Sequence, residues 1–172
     1  MNKIRILTST SLFDGHDASI NIMRRVLQEN GVEIIHLGHN RSAQEIVEAA
    51  IEEDVQGIAI TSYQGGHIEF FTYVRSLLDK SGYGHVKIVG GGGGTIQPSE
   101  VAYLQKNGIS KIYLPDDGLK MGIVGMIQEV INICNFELKP IPNKSLSKLS
   151  IPKKIDPRQL SRSITLLQNG QL

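Results

Sequence analysis

Short β-branched runs and longer amphipathic runs alternate along the chain, each pair separated by glycine or polar residues. Apolar positions spaced three and four apart predict helices, and unbroken apolar runs of four or five predict buried strands. Strands are expected at 4–8, 33–37, 57–61, 86–89 and 111–114, and helices at 19–30, from 42, 68–81, from 98, and from 120 to about 135. Gly31 stops the first helix, and Ser42 with Glu45 three residues on forms a capping box for the second. Pro98 suits a first helical turn, and "GIAIT" at 57–61 reads as a strand covered on both faces. The whole predicts a doubly wound α/β domain, flavodoxin-like (Rossmann-like), with a five-stranded parallel sheet ending near residue 136.

Charge divides the chain at the same place. Residues 1–136 hold 11 Lys/Arg against 15 Asp/Glu, whereas 137–172 hold 7 against 2 and carry four of the six prolines. Residues 1–136 therefore form the predicted domain, and 137–172 read as a basic, Pro-rich linker or docking tail. Such a tail is a weak signal for nucleic acid, and no nucleic-acid partner is expected. The lone Cys134 sits late in an apolar-periodic helix and fits a reducing compartment, with no catalytic role. No run approaches the length of a signal core or a membrane span, so a cytoplasmic protein without membrane contact is expected.

In sheets of this kind ligands sit at the carboxyl ends of the strands. The loops there are "TSTSLFDGHDAS", "TSYQGGH", "GGGGGTIQP" and "PDDG", all rich in small or polar residues. Asp14 and His16 are close enough for the carboxylate to bind one ring nitrogen and leave the other as a metal ligand or general base. A turn-capping aspartate beside a solvated histidine is the plain alternative. His67, at a helix start, reads as a polar surface residue. The glycines at 90–94 match neither a Walker loop nor the Rossmann spacing, because Thr95 takes the third glycine position and no Lys-Ser or Lys-Thr follows. They free the backbone to lie flat against something wide, unless they make a merely flexible loop. Gly65 and Gly66 make a second opening after the third strand.

Three of these motifs in order, "DGHDAS" at 14–19, "TSY" at 61–63 and Gly93-Gly94, resemble the cobalamin-binding domain of the methylmalonyl-CoA mutase family. Within it the chain looks like the fused branch, in which this module precedes a GTPase domain and an acyl-CoA mutase barrel. The family pattern is D-x-H-x-x-G, S-x-L and G-G; Ser19 stands at the closing glycine and Tyr63 at the leucine. The resemblance implies adenosylcobalamin bound base-off, with His16 as the lower axial ligand of cobalt and Asp14 orienting it. It further implies that the backbone of Gly15 and Asp17 meets the corrin. Ser19, Thr61, Ser62, Gly93 and Gly94 would line a slot for the nucleotide tail. Tyr63, Gly65, Gly66, Gly92, Thr95 and Pro115 complete the expected cofactor-binding set.

The implied function is that of the cofactor module in a radical carbon-skeleton isomerisation such as isobutyryl-CoA to n-butyryl-CoA. The module is not catalytic without the substrate barrel, for which 172 residues leave no room. The barrel and a GTPase chaperone domain are the implied partners, in cis or in trans. A corrinoid carrier for methyl transfer would share the Asp-x-His device but usually places a helical cap before the sheet, and here the first strand starts at Ile4. A cobalamin sensor is the other reading. A phosphoacceptor receiver is disfavoured, since the third strand ends in Thr61 and Ser62.

Overall fold

The computed structural model describes residues 3–138 and 157–170. Five strands, β1 (Arg5–Ser11), β2 (Glu33–Arg41), β3 (Gly57–Thr61), β4 (Lys87–Gly91) and β5 (Lys111–Tyr113), form one sheet. Its order is β2-β1-β3-β4-β5, and every pairing is parallel. Helices α1 (Ala18–Glu29), α2 (Ala43–Glu52), α3 (His67–Lys80), α4 (Pro98–Lys106) and α5 (Pro115–Cys134) make the crossovers and the final cover. The fold is the doubly wound flavodoxin-like one expected from the alternation.

Strand residues divide between two cores by parity, because successive side chains leave opposite faces. Leu7, Ile58, Ile60, Ile88 and Ile112 pack among the buried residues of α2, α3 and α4, with Phe71 fully enclosed. Ile6, Ala59, Val89 and Tyr113 pack with Ile20 and Leu27 of α1 and with Ile127, Val130 and Cys134 of α5. Burial pushes the Cys134 thiol up to about 12, as suits a packing residue. The winding direction reverses between β1 and β3, which opens a crevice at the carboxyl ends of those two strands.

Three expected boundaries shift by three residues or more. β1 runs on through Ser9, Thr10 and Ser11, all buried although polar. β2 extends to Arg41 through register shifts opposite Ser9, with Gly38 and Asn40 at positive φ. α5 starts at Pro115, not 120: the Asp117 carboxylate reaches back to accept from the Leu114 N–H at 2.9 Å, and Gly122 (φ 64°, ψ 175°) breaks the helix into two pieces. The capping box of α2 forms as its sequence predicts, with Ser42 and Glu45 each bonding the other's backbone N–H. Among the described residues, no helix is long and apolar enough to cross a membrane.

Within the stretch 137–172, Pro157–Gln168 forms a sixth helix, α6, that packs against α2 at the amino ends of the strands. Its Arg162 lies buried and its Nε bonds both oxygens of Asp54, at 2.9 and 2.8 Å. Asp54 is fully buried in the turn before β3, and its left-handed backbone (φ 48°) presents the carboxylate to the helix. Arg162 Nη2 also donates to His85 Nε2 at 3.0 Å, and Ser161 donates to the Ile51 carbonyl at 3.1 Å. The residues 139–156 lie outside the described part.

Losing one member of a buried ion pair costs about 3–5 kcal/mol, because the other charge stays desolvated. Arg162→Met is therefore expected to lower stability by that amount in urea denaturation, with partial recovery in the Asp54→Asn/Arg162→Met double variant. Burial, then the Arg162 charge, holds His85 below the usual histidine range, with Arg75 and Lys87 adding to this and Asp54 opposing it. A histidine with a lowered folded pKa contributes fully above its unfolded value and loses that contribution as pH falls through the folded one. Amide protection of α6, corrected for intrinsic exchange, should drop as pH is lowered below the unfolded histidine value of about 6.5, and a flat profile would contradict the assignment.

Candidate functional site

The carboxyl end of β1 is built from hydroxyl residues because its partners there are polar loops instead of helices. Thr10 Oγ1 donates to the Asp14 carbonyl at 2.8 Å and accepts from the Asn40 N–H at 2.9 Å. Ser11 Oγ donates to Ser62 Oγ at 2.9 Å. The Asn40 side chain accepts from the Phe13 N–H at 2.7 Å, holding Phe13 in the left-handed region (φ 63°) with its ring exposed. These bonds set the start of the loop that carries Asp14 and His16.

Asp14 is 2% exposed, and three N–H groups converge on it. Oδ1 accepts from the His16 backbone N–H at 2.9 Å and from His16 Nδ1 at 2.8 Å; Oδ2 accepts from the Tyr63 N–H at 2.5 Å. With Nδ1–H bound to the carboxylate, the neutral imidazole carries its lone pair on Nε2. The His16 side chain is 77% exposed, so that nitrogen is open to a ligand. Among the described residues, no group of three or more His, Cys, Asp or Glu could hold a metal ion. His16 thus offers a metal one protein ligand.

Below this loop lies a cavity of about 430 Å³ between the sheet and helices α1 and α5. Its floor is Ala59, Ile60 and Thr61 of β3 with Val89, Gly90 and Gly91 of β4; its sides include Ser19, Ile20 and Met23 of α1 and Gly118, Ile123 and Met126 of α5. The lining is apolar but for a few groups. The hydroxyl oxygen of Thr61, one of the lining residues, is buried and has no hydrogen-bond partner within the protein. Tyr63 lines the cavity on the side of His16, its OH 2.7 Å from Ser19 Oγ and its ring centroid 5.6 Å from that of His16.

Of the fifteen residues singled out from the sequence, Asp14, Gly15, His16 and Asp17 form the first loop, and Ser19, Thr61, Tyr63, Gly92, Gly93 and Pro115 line the cavity. Ser62, Gly65, Gly66, Gly94 and Thr95 do not. Ser62 follows Thr61 on an extended strand end and turns the other way, where its hydroxyl accepts from Ser11. The glycine run is explained first by the protein's own packing. A Cβ at Gly92 would collide with the Ser62 carbonyl, and one at Gly93 (φ 56°) would sit 2.9 Å from Tyr63 Cε1. Gly94 and Gly15 face open space. His67 differs from the surface residue expected: it is buried, with Nε2 3.0 Å from Glu100 Oε2, and so ties the start of α3 to the first turn of α4. The apolar lining from α1 (Ile20, Met23, Leu27) and from α5 (Ile123, Met126, Val130) went unread in the sequence; for α1 the spacing of those three residues, three and four apart beside Ser19, was the available signal.

A family model described as B12 binding domain matches residues 4–118. The fused isobutyryl-CoA mutase of Cupriavidus metallidurans is 52% identical over 170 residues, which is 99% of this chain and 15% of that protein. The chain thus spans about 15% of the length of such relatives. The 2-hydroxyisobutanoyl-CoA mutase small subunit of Aquincola tertiaricarbonis is 32% identical over 114 residues, 66% of this chain and 82% of that one. Among solved structures, a cobalamin-binding protein from Desulfitobacterium hafniense superposes with a TM-score of 0.63 at 17% identity, over 76% of this chain and 59% of its own, which shows the fold.

Asp14→Asn would force an amide –NH₂ against one of three N–H donors, and should cost about 1–3 kcal/mol of stability. His16→Ala takes one of the three donors from the carboxylate but leaves both backbone N–H groups on it, so its cost should be clearly smaller than that of Asp14→Asn. Urea denaturation of the two variants checks this. Equal losses would mean that Asp14 does not anchor the loop.

Proposed function

This chain belongs to the B12-binding domain family, and on that premise we propose that it holds adenosylcobalamin base-off, with His16 Nε2 as the lower ligand of cobalt, in an acyl-CoA mutase. The observation that carries this reading is the pairing of an open, Asp14-oriented imidazole with an adjacent cavity that holds an unsatisfied Thr61 hydroxyl. The cofactor, when bound, supplies a weak cobalt–carbon bond for radical rearrangement.

The chain's residues bind and tune. Asp14 fixes the His16 tautomer and raises the donor strength of Nε2, as carboxylates behind ligating histidines do. The cavity takes the displaced nucleotide tail, with Thr61 Oγ1 and Ser19 Oγ as its hydrogen-bonding groups and the backbone of Gly92 and Gly93 along one wall. Gly15, Asp17 and the open Gly94 meet the corrin and its amides. Residues 1–136 are the cofactor domain, and 137–172 connect it to a mutase barrel and a GTPase domain, in cis or in trans, in the cytoplasm. The barrel would bind the acyl-CoA, with isobutyryl-CoA and n-butyryl-CoA as the pair suggested by the fused relatives, and this chain alone would not turn over.

The deciding measurement is the electron paramagnetic resonance spectrum of cob(II)alamin added anaerobically to nitrogen-14 and nitrogen-15 protein. The expected lower-ligand splitting changes from three lines to two on labelling, and is lost in His16→Ala. A splitting indifferent to the label would overturn the assignment of His16. Asp14→Asn should keep the two-line pattern while weakening binding by about 10–100-fold.

A further inference from the structure

His16 and the cavity are neighbours, yet His16 is not part of the cavity wall. Tyr63 reaches both, lining the cavity and lying beside the His16 ring. Its backbone N–H holds Asp14, its ring lies against His16 on one side and the backbone of Gly93 on another, and its hydroxyl bonds Ser19 in the first turn of α1. Tyr63 and Ser19 both line the cavity, and the bond between them joins the loop after β3 to the first turn of α1 on the side where Tyr63 meets His16.

We infer that the Ser19–Tyr63 hydroxyl pair is a latch that must open before a ligand ligated by His16 can place its tail in the cavity. The inference rests on the cobalamin reading given above. A ligand anchored at His16 and extending into the cavity has to pass the Tyr63 ring. The ring is only half-buried, and a single neutral hydrogen bond holds its outer end, so a rotamer change suffices to move it. Opening also releases the Ser19 hydroxyl, in the cavity wall, to a polar group of the entering tail. The latch thus exchanges one hydrogen bond for another, and the closed state keeps the Ser19 hydroxyl satisfied when no tail is present.

The latch acts on tails and not on corrin rings, which gives it a test separate from the cofactor assignment. Stopped-flow absorbance would follow cobalamin, and cobinamide, which lacks the nucleotide tail, binding to the purified chain and its variants. Tyr63→Phe keeps the ring and removes the hydroxyl; Ser19→Ala removes the partner. Each should speed cobalamin association by about 2–10-fold, the worth of one neutral hydrogen bond, and the double variant should be no faster than either single one. Cobinamide association should be unchanged in all three. Unchanged cobalamin rates, additive effects, or equal acceleration of cobinamide would overturn the latch while leaving the cofactor reading standing. Failure of the parent chain to bind cobalamin at all would overturn both.

Discussion

A buried carboxylate held by three N–H groups governs the end of this molecule at the carboxyl ends of the strands. Taking Asp14 out of water is tolerable only because three N–H groups point at it, and those groups come from two different loops. The first loop must curl so that the backbone and ring of His16 both reach Oδ1, and the loop after β3 must come close enough to give Oδ2 the Tyr63 N–H. The polar end of β1 serves this demand: Thr10 braces the Asp14 carbonyl, and Ser11 meets Ser62 beneath. One charge thereby joins the two strands between which the winding of the sheet reverses.

The sheet is accordingly two materials in one element. Toward the amino ends its residues are Ile, Leu and Val in two close-packed cores, and toward the carboxyl ends they give way to Thr, Ser and Gly. The first part supplies rigidity and the second supplies hydrogen bonds and room. The cavity sits at the changeover, which is why its lining is apolar along the helices yet holds an unsatisfied hydroxyl at Thr61.

Legibility in the sequence follows the range of the interactions. β3 was readable to the residue because a strand covered on both faces is an unbroken apolar run, and the Asp14–His16 pair because two residues separate its members. β2 was cut short because its last residues, "GHNR", are polar and bulged, and the first turn of α5 because its prolyl-acidic start resembles a loop. The three motifs named the family, but the cavity wall is assembled from five elements and is not a pattern in any one of them. α6 shows the limit: its anchor is an arginine 108 residues from the aspartate it pairs with, a relation no local periodicity carries.

That anchor also has a mechanical meaning. α6 grips the turns before β3 and β4, while His16 stands beyond the far end of β1, so the sheet lies between the point of attachment and the open ring nitrogen. Pull or torque arriving through residues near α6 is taken up by the stiff, apolar end of the sheet. The module can then be carried and tilted like a cup held by its base, with the rim left clear for whatever it is offered to.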